Sequence, residues 1–269
     1  MMARVRRSYV DGTFGQIHYR IAAPEASSSL PPLYCLHQSP KSGLEFETLM
    51  GAAGEERIVV APDYPGYGQS DAPPDEHLAT VPAYAEACWQ VADALGHERI
   101  DLFGNHTGAK VAAAMALARP AQVGAIAMVS AALLTPEERA WFSDYFKPIP
   151  LDEAGTRFTT MWQRIVNRRG PGATLEMLSQ SFMMNLLGGE AYEWGHIAAF
   201  AYDQPFVDAI RTLPHRMLIL NPADDLAEFT RRAIPLLRNG EVIECPDWGY
   251  NFMDVSPGDV TALLRGLSA

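Results

Sequence analysis

The 269-residue chain is poor in cysteine, in basic charge and in long apolar runs, and each shortage excludes something. Three cysteines, Cys35, Cys88 and Cys245, are an odd number without metal-type spacing, so neither a disulfide framework nor a thiolate metal site is expected. Cys35 and Cys245 sit in apolar, strand-like runs and read as buried free thiols. Lysine and arginine number 21 against 32 aspartates and glutamates, a formal charge of −11. Such a surface repels nucleic acid and anionic membranes, and no basic patch offsets it. The longest apolar run, Ala125 to Leu134, is about half of the ~20 residues a spanning helix needs. No apolar stretch follows Arg4, Arg6 and Arg7, so no secretory signal is expected and a reducing cytoplasm is the expected compartment.

What is present is a globular composition, 48% hydrophobic and 20% charged, in a length able to bury a substantial core. Strand-like and helix-like segments alternate, the pattern of a mostly parallel sheet covered on both faces. Residues 16–21 alternate in character and predict an early antiparallel strand. Short apolar runs at 32–36, 57–61, 99–103 and 123–129 predict buried strands, with helices at 45–54, 80–96 and 107–118 between them. From about 135 to 205 there is no strand signal, only helical patterns broken by Pro148, Pro150, Gly170-Pro171-Gly172 and Gly188-Gly189. Strands return at 216–221 and 241–245, followed by a helix near 257–267. The expected organisation is an α/β core over 1–130 and 208–269, interrupted by a helical cap at 131–207. The Met and aromatic residues of 161–200 are first of all packing residues; those facing inward would shape an apolar pocket.

Three segments stand out in chain order. L-H-Q-S-P (36–40) follows one predicted strand and A-P-D-Y-P-G-Y-G-Q-S-D (61–71) follows the next. G-N-H-T-G (104–108) lies between the strand I-D-L-F and the helix starting near Thr107. Together they resemble the α/β-hydrolase fold family: its oxyanion-hole loop, its D-x-P-G-x-G-x-S segment and its nucleophile elbow. The resemblance covers the chain outside the helical insertion and implies an α/β-hydrolase fold. Gly104 and Gly108 leave room for a sharp turn, with the residue between them at strained dihedrals and exposed above the sheet. The H-Q-S-P loop combined with G-x-H-T-G is similar to an atypical subgroup, which brings no substrate with it.

The departures from the family pattern shape the chemistry. By the resemblance, His106 stands at the nucleophile position, where a serine is usual. The acid corresponds to Asp224, with Asp225 second, in L-I-L-N-P-A-D-D. D-W-G-Y-N-F (247–252) resembles the segment D-x-G-H-F, so Tyr250 replaces the triad histidine. A phenol with a reference pKa of about 10 is a poor base at neutral pH and serves better as a donor. Imidazole, near 6.5, is suited to moving protons. The expected set is therefore His106 as general base oriented by Asp224, with Tyr250 donating to the substrate oxygen. The backbone N–H groups of Ser39 and Thr107 would stabilise an oxyanion, in a loop where Gln38 replaces the usual glycine.

Such a set fits cofactor-free hydrolysis of an ester, lactone or C–C bond in a small, largely apolar carbonyl compound. It fits equally a lyase, isomerase or cofactor-free oxygenase that begins with the same proton transfer, and a non-catalytic ligand-binding protein stands beside both. Two variants remain open: Ser39 as a displaced nucleophile with His106 as its base, and His37, His106 and Asp224 converging on a metal. No helix-spaced ligand pair is present, so no metal is expected. His196, with Glu190 and Glu193 nearby, reads as a solvated cap feature; His18, His77, His97 and His215 read as surface or structural, and Asp63 and Asp71 as loop-fixing. The expected partners are a small-molecule substrate and, possible in principle, a second copy as a homodimer; nucleic acid and membrane are not expected.

Overall fold

The computed structural model describes residues 2–267. Its strands are β1 (Arg6–Gly12), β2 (Gly15–Ala22), β3 (Leu33–Leu36), β4 (Val59–Pro62), β5 (Ile100–Asn105), β6 (Val123–Val129), β7 (Arg216–Pro222) and β8 (Gly240–Cys245). They form one sheet in the order β1-β2-β4-β3-β5-β6-β7-β8. The β1–β2 and β2–β4 pairs are antiparallel, and every later pair is parallel. All residues of β3, β4 and β5 are buried, which is why their sequence shows apolar runs rather than alternation. The sequence reading missed β1. Its residues, R-R-S-Y-V-D-G, alternate between exposed and half-buried at the sheet edge, and no apolar run marks them.

Helices α1 (Glu47–Ala53), α2 (Val81–Ala94) and α3 (Thr107–Ala118) separate the early strands. Between β6 and β7 lie only helices: α4 (Pro136–Tyr145), α5 (Thr156–Asn167), α6 (Leu175–Leu187), α7 (Trp194–Ala201) and α8 (Asp203–Thr212), besides a short 3-10 turn. Two short helices, α9 (Ala227–Arg231) and α10 (Phe252–Val255), precede the last, α11 (Pro257–Leu267). Helix α4 starts where Thr135 and Glu138 form a reciprocal capping box ahead of Pro136. The expected junction at 207/208 falls inside α8, whose Phe206, Ala209 and Ile210 pack in the core beside α3.

The sheet's alternation divides the core in two. Leu102, Ile126 and Met128 face the cluster under α2, α3 and α8, while Phe103, Ala127 and Val129 face the cluster under α1, α10 and α11. A third cluster, Ala132, Leu134, Phe142 and Phe146, ties the helical segment to the chain leaving β6. Cys35, Cys88 and Cys245 are buried and free. Among the described residues no helix is long and apolar enough to cross a membrane.

Candidate active site

The carboxyl ends of the parallel strands bring residues 37–41, 106, 130 and 224 to one rim, the usual place for a site in an open α/β sheet. Strand β5 turns into α3 through the single residue His106, held at φ 50° and ψ −109°. A non-glycine residue in such a region costs about 1–3 kcal/mol, so its surroundings must enforce it. They do. A Cβ on Gly104 would lie 2.2 Å from the carbonyl oxygen of Gly108, and one on Gly108 would lie 1.9 Å from that of Leu36. Only bare backbone permits this approach, and the His106 N–H is bonded to Val129 O at 3.0 Å. The His106 imidazole is left 15% exposed on a cavity wall.

Nε2 of His106 lies 3.3 Å from Oδ2 of Asp224, a fully buried carboxylate. Ser130 donates its hydroxyl to the same oxygen, and the Leu226 N–H donates to Oδ1 at 2.8 Å. Burial alone would raise the Asp224 pKa; the hydrogen bond and charge of His106, with Ser130 and the Leu226 N–H, outweigh it and hold the carboxyl below its ordinary range. Ser130 is itself at φ 51°. No sequence reading singled it out, although its place immediately after β6 is a positional signal.

The second acid candidate, Asp225, is turned elsewhere. It accepts from Arg168 Nη2 at 2.8 Å and from the Tyr250 hydroxyl. The Tyr250 ring lies 5.6 Å from the His106 ring, tilted by 34°, and burial raises its pKa so that the phenol stays protonated. Tyr250 is thus beside His106, but its proton is committed to Asp225.

The loop residues separate in the same way. Gln38 directs its backbone N–H (2.9 Å) and its side-chain amide (3.0 Å) to Glu45, so its N–H is not available to an oxyanion. The Ser39 N–H meets only Thr107 Oγ1, at a long 3.4 Å, and Thr107 opens α3, where a first-turn N–H has no partner within the helix. The Ser39 hydroxyl is buried against Gly195 and Tyr67, and among the described residues it makes no hydrogen bond to His106. His37 stacks on Tyr64 at 3.8 Å, with Nδ1 on Gln38 O (2.8 Å) and Nε2 accepting the Tyr64 N–H (3.0 Å). Burial lowers its pKa to about 4, and with both nitrogens engaged it has no lone pair for a metal. Asp63 holds its loop through His18, Gly43 N–H and Gln69 N–H.

The cavity above this floor has a volume of about 170 Å³. That is close to the ~150 Å³ of an engineered protein cavity that takes up benzene. Leu134, Phe142, Phe146, Met161, Leu178 and Phe200 supply its apolar wall. Charged residues that the sequence did not single out also reach it. Lys110 is bonded to Ala199 O (2.8 Å) and Asp203 (3.1 Å), and Lys41 to Ser181 O (2.8 Å), Ser181 Oγ (2.6 Å) and Asn185 Oδ1 (2.5 Å). Burial lowers the Lys41 pKa and raises that of Glu45. His196 and Glu193, expected to be solvated, instead form a tight pair in the cavity wall, with Glu193 only 3% exposed. Glu190 alone is exposed, paired with Arg157.

Residues 31–191 match the family model described as the alpha/beta hydrolase fold, more than half of the chain. The chain belongs to this family. A proline iminopeptidase from Heyndrickxia coagulans is 27% identical over 147 residues, 54% of this chain and 49% of that protein, so the chain spans about half the length of this curated relative. An esterase from Exiguobacterium antarcticum superposes with a TM-score of 0.77 at 16% identity, over 96% of this chain and 98% of that one. An N-acyl homoserine lactonase variant complexed with N-hexanoyl homoserine gives 0.76 at 17% identity, over 98% and 96%. At such identities the structures show the shared α/β-hydrolase fold alone. The matched family segment contains Gln38, Ser39, His106 and Thr107, whereas Asp224 and Tyr250 lie beyond it.

Proposed function

We propose that this α/β-hydrolase family member is a cofactor-independent hydrolase in which His106, at the nucleophile position, acts as a general base. Its substrate is a small, largely apolar carbonyl compound, cleaved at an ester, lactone or activated C–C bond. One observation carries the reading: the imidazole stands at the cavity floor, 3.3 Å from a buried carboxylate held in its ionised form. An ionised Asp224 accepts the Nε2–H, fixes the tautomer and leaves Nδ1 as the basic nitrogen. Nδ1 takes a proton from water, the hydroxide adds to the carbonyl carbon, and the Ser39 and Thr107 N–H groups receive the developing oxyanion. Tyr250 packs beside the ring while its hydroxyl steadies Asp225 and Arg168. The segment 131–207 acts as a cap, its aromatic wall holding the apolar part of the substrate and excluding bulk water. Family membership supports hydrolysis over a lyase, isomerase or oxygenase reaction.

The test is His106→Ala assayed with p-nitrophenyl butyrate. The expected result is a fall in kcat/KM of at least ~100-fold in a variant that remains folded, as read by circular dichroism. Unaltered kinetics would end the reading, and a wild-type protein that gains thermal stability from small esters but turns none over is a binding protein.

A further inference from the structure

The cavity holds a second histidine, contributed by α7 of the helical segment. Nδ1 of His196 lies 2.5 Å from Oε2 of Glu193, and the ring stacks on Phe146 at 3.9 Å. Glu193 is buried with Arg164 3.8 Å away, an uncommon place for a carboxylate unless it is paired. With Nδ1 taken and one face covered, Nε2 is the nitrogen that His196 has left to offer the cavity it lines. A carboxylate on Nδ1 with Nε2 free is how a histidine is oriented for proton transfer to a substrate. His106 has the converse arrangement, its carboxylate on Nε2.

We propose that His196, oriented by Glu193, is a further catalytic residue: the general acid that protonates the leaving group. The inference rests on the hydrolytic reading above and completes it. His106 Nδ1 takes one proton from water, and the remaining hydroxide forms the new bond to the carbonyl carbon. As the C–O bond to the leaving group breaks, that oxygen keeps the electron pair and receives a proton from imidazolium Nε2 of His196. One proton has arrived at His106 and one has left His196; exchange with solvent after product release restores both. Other cavity donors are less suited to the step. The ammonium groups of Lys41 and Lys110 are held by protein acceptors, the Tyr250 hydroxyl donates to Asp225, and an arginine does not release its proton.

The experiment compares p-nitrophenyl butyrate, whose leaving group departs as an anion, with ethyl butyrate, whose alkoxide needs a proton. In His196→Gln the ethyl-to-nitrophenyl rate ratio should fall about 100-fold relative to wild type, the scale of one general-acid contribution. Glu193→Gln should lower the ratio in the same direction by less, which guards against a His196 variant that fails to fold. His106→Ala should depress both esters together. An active wild type with an unchanged ratio in both wall variants overturns the role of His196 and leaves His106 standing. A wild type inert toward both esters overturns the hydrolytic reading and this role with it.

Discussion

The cavity floor and the cavity roof hold their residues by different means. On the floor, His106 is set by backbone closeness, because Gly104, Gly108 and the carbonyl of Leu36 leave no room for a side chain. Its carboxylate partner is held by the Ser130 hydroxyl, directly after β6, and by the Leu226 N–H, directly before α9. In the roof, positions depend on paired charges: Arg139 and Lys110 on Asp203, Arg164 and His196 on Glu193, Arg168 on Asp225. The roof's Gly189 has nothing within 4 Å of an added Cβ, although its φ is +52°. A floor built this way has one geometry, whereas a roof of ion pairs can exchange partners.

The strongest challenge to this contrast is a matched pair of glycine substitutions. Gly108→Ala should cost about 3 kcal/mol or more, because backbone rather than a flexible side chain must yield. Gly189→Ala should cost only about 1 kcal/mol, the strain of a left-handed residue in open space. Urea unfolding of the two variants reads the difference, and equal losses would remove the distinction.

A second comparison uses pH. His37, buried in the floor, has its pKa lowered from 6.5 to about 4 because burial disfavours its charged form. Between pH 6.5 and 4 the unfolded chain therefore takes up a proton that the folded chain refuses, and stability falls as pH falls. Wild type should lose about 1.4 kcal/mol per pH unit relative to His37→Gln across that window. Parallel unfolding curves for the two proteins at pH 7, 5.5 and 4.5 would refute it.

The smallest effect is expected of Tyr250→Phe. Losing one hydrogen bond to Asp225 is worth about 1 kcal/mol, so kcat on nitrophenyl butyrate should fall no more than about fivefold. A fall of ~100-fold would mean that the hydroxyl acts on the substrate itself.

This contrast also explains what could be read from the residues. G-N-H-T-G was legible as a strained turn because its two glycines mark it within five residues, although the Leu36 carbonyl and Val129 that enforce it lie far off in sequence. The apolar runs of β3, β4 and β5 were legible for the same reason, since burial on both faces marks every residue. β1 was not, because an edge strand of R-R-S-Y-V-D-G buries too little to leave a pattern. The choice of Asp224 over Asp225 depends on Ser130, 94 positions away, and on the Leu226 N–H. Glu193 and His196 looked solvated because nothing nearby in sequence announces that Phe146 and Arg164 will cover them. Gln38 could not be seen to face Glu45, because that depends on how the loop closes over the 3-10 turn Gly43–Phe46.

Lys41 follows the loop that bears Ser39, and its ammonium spans to Ser181 and Asn185 of α6. If α6 swings outward, either that ammonium gives up Ser181 and Asn185 or the 37–41 loop travels with it. Admission of a guest and the poise of the neighbouring amides are thereby geared together by one tether.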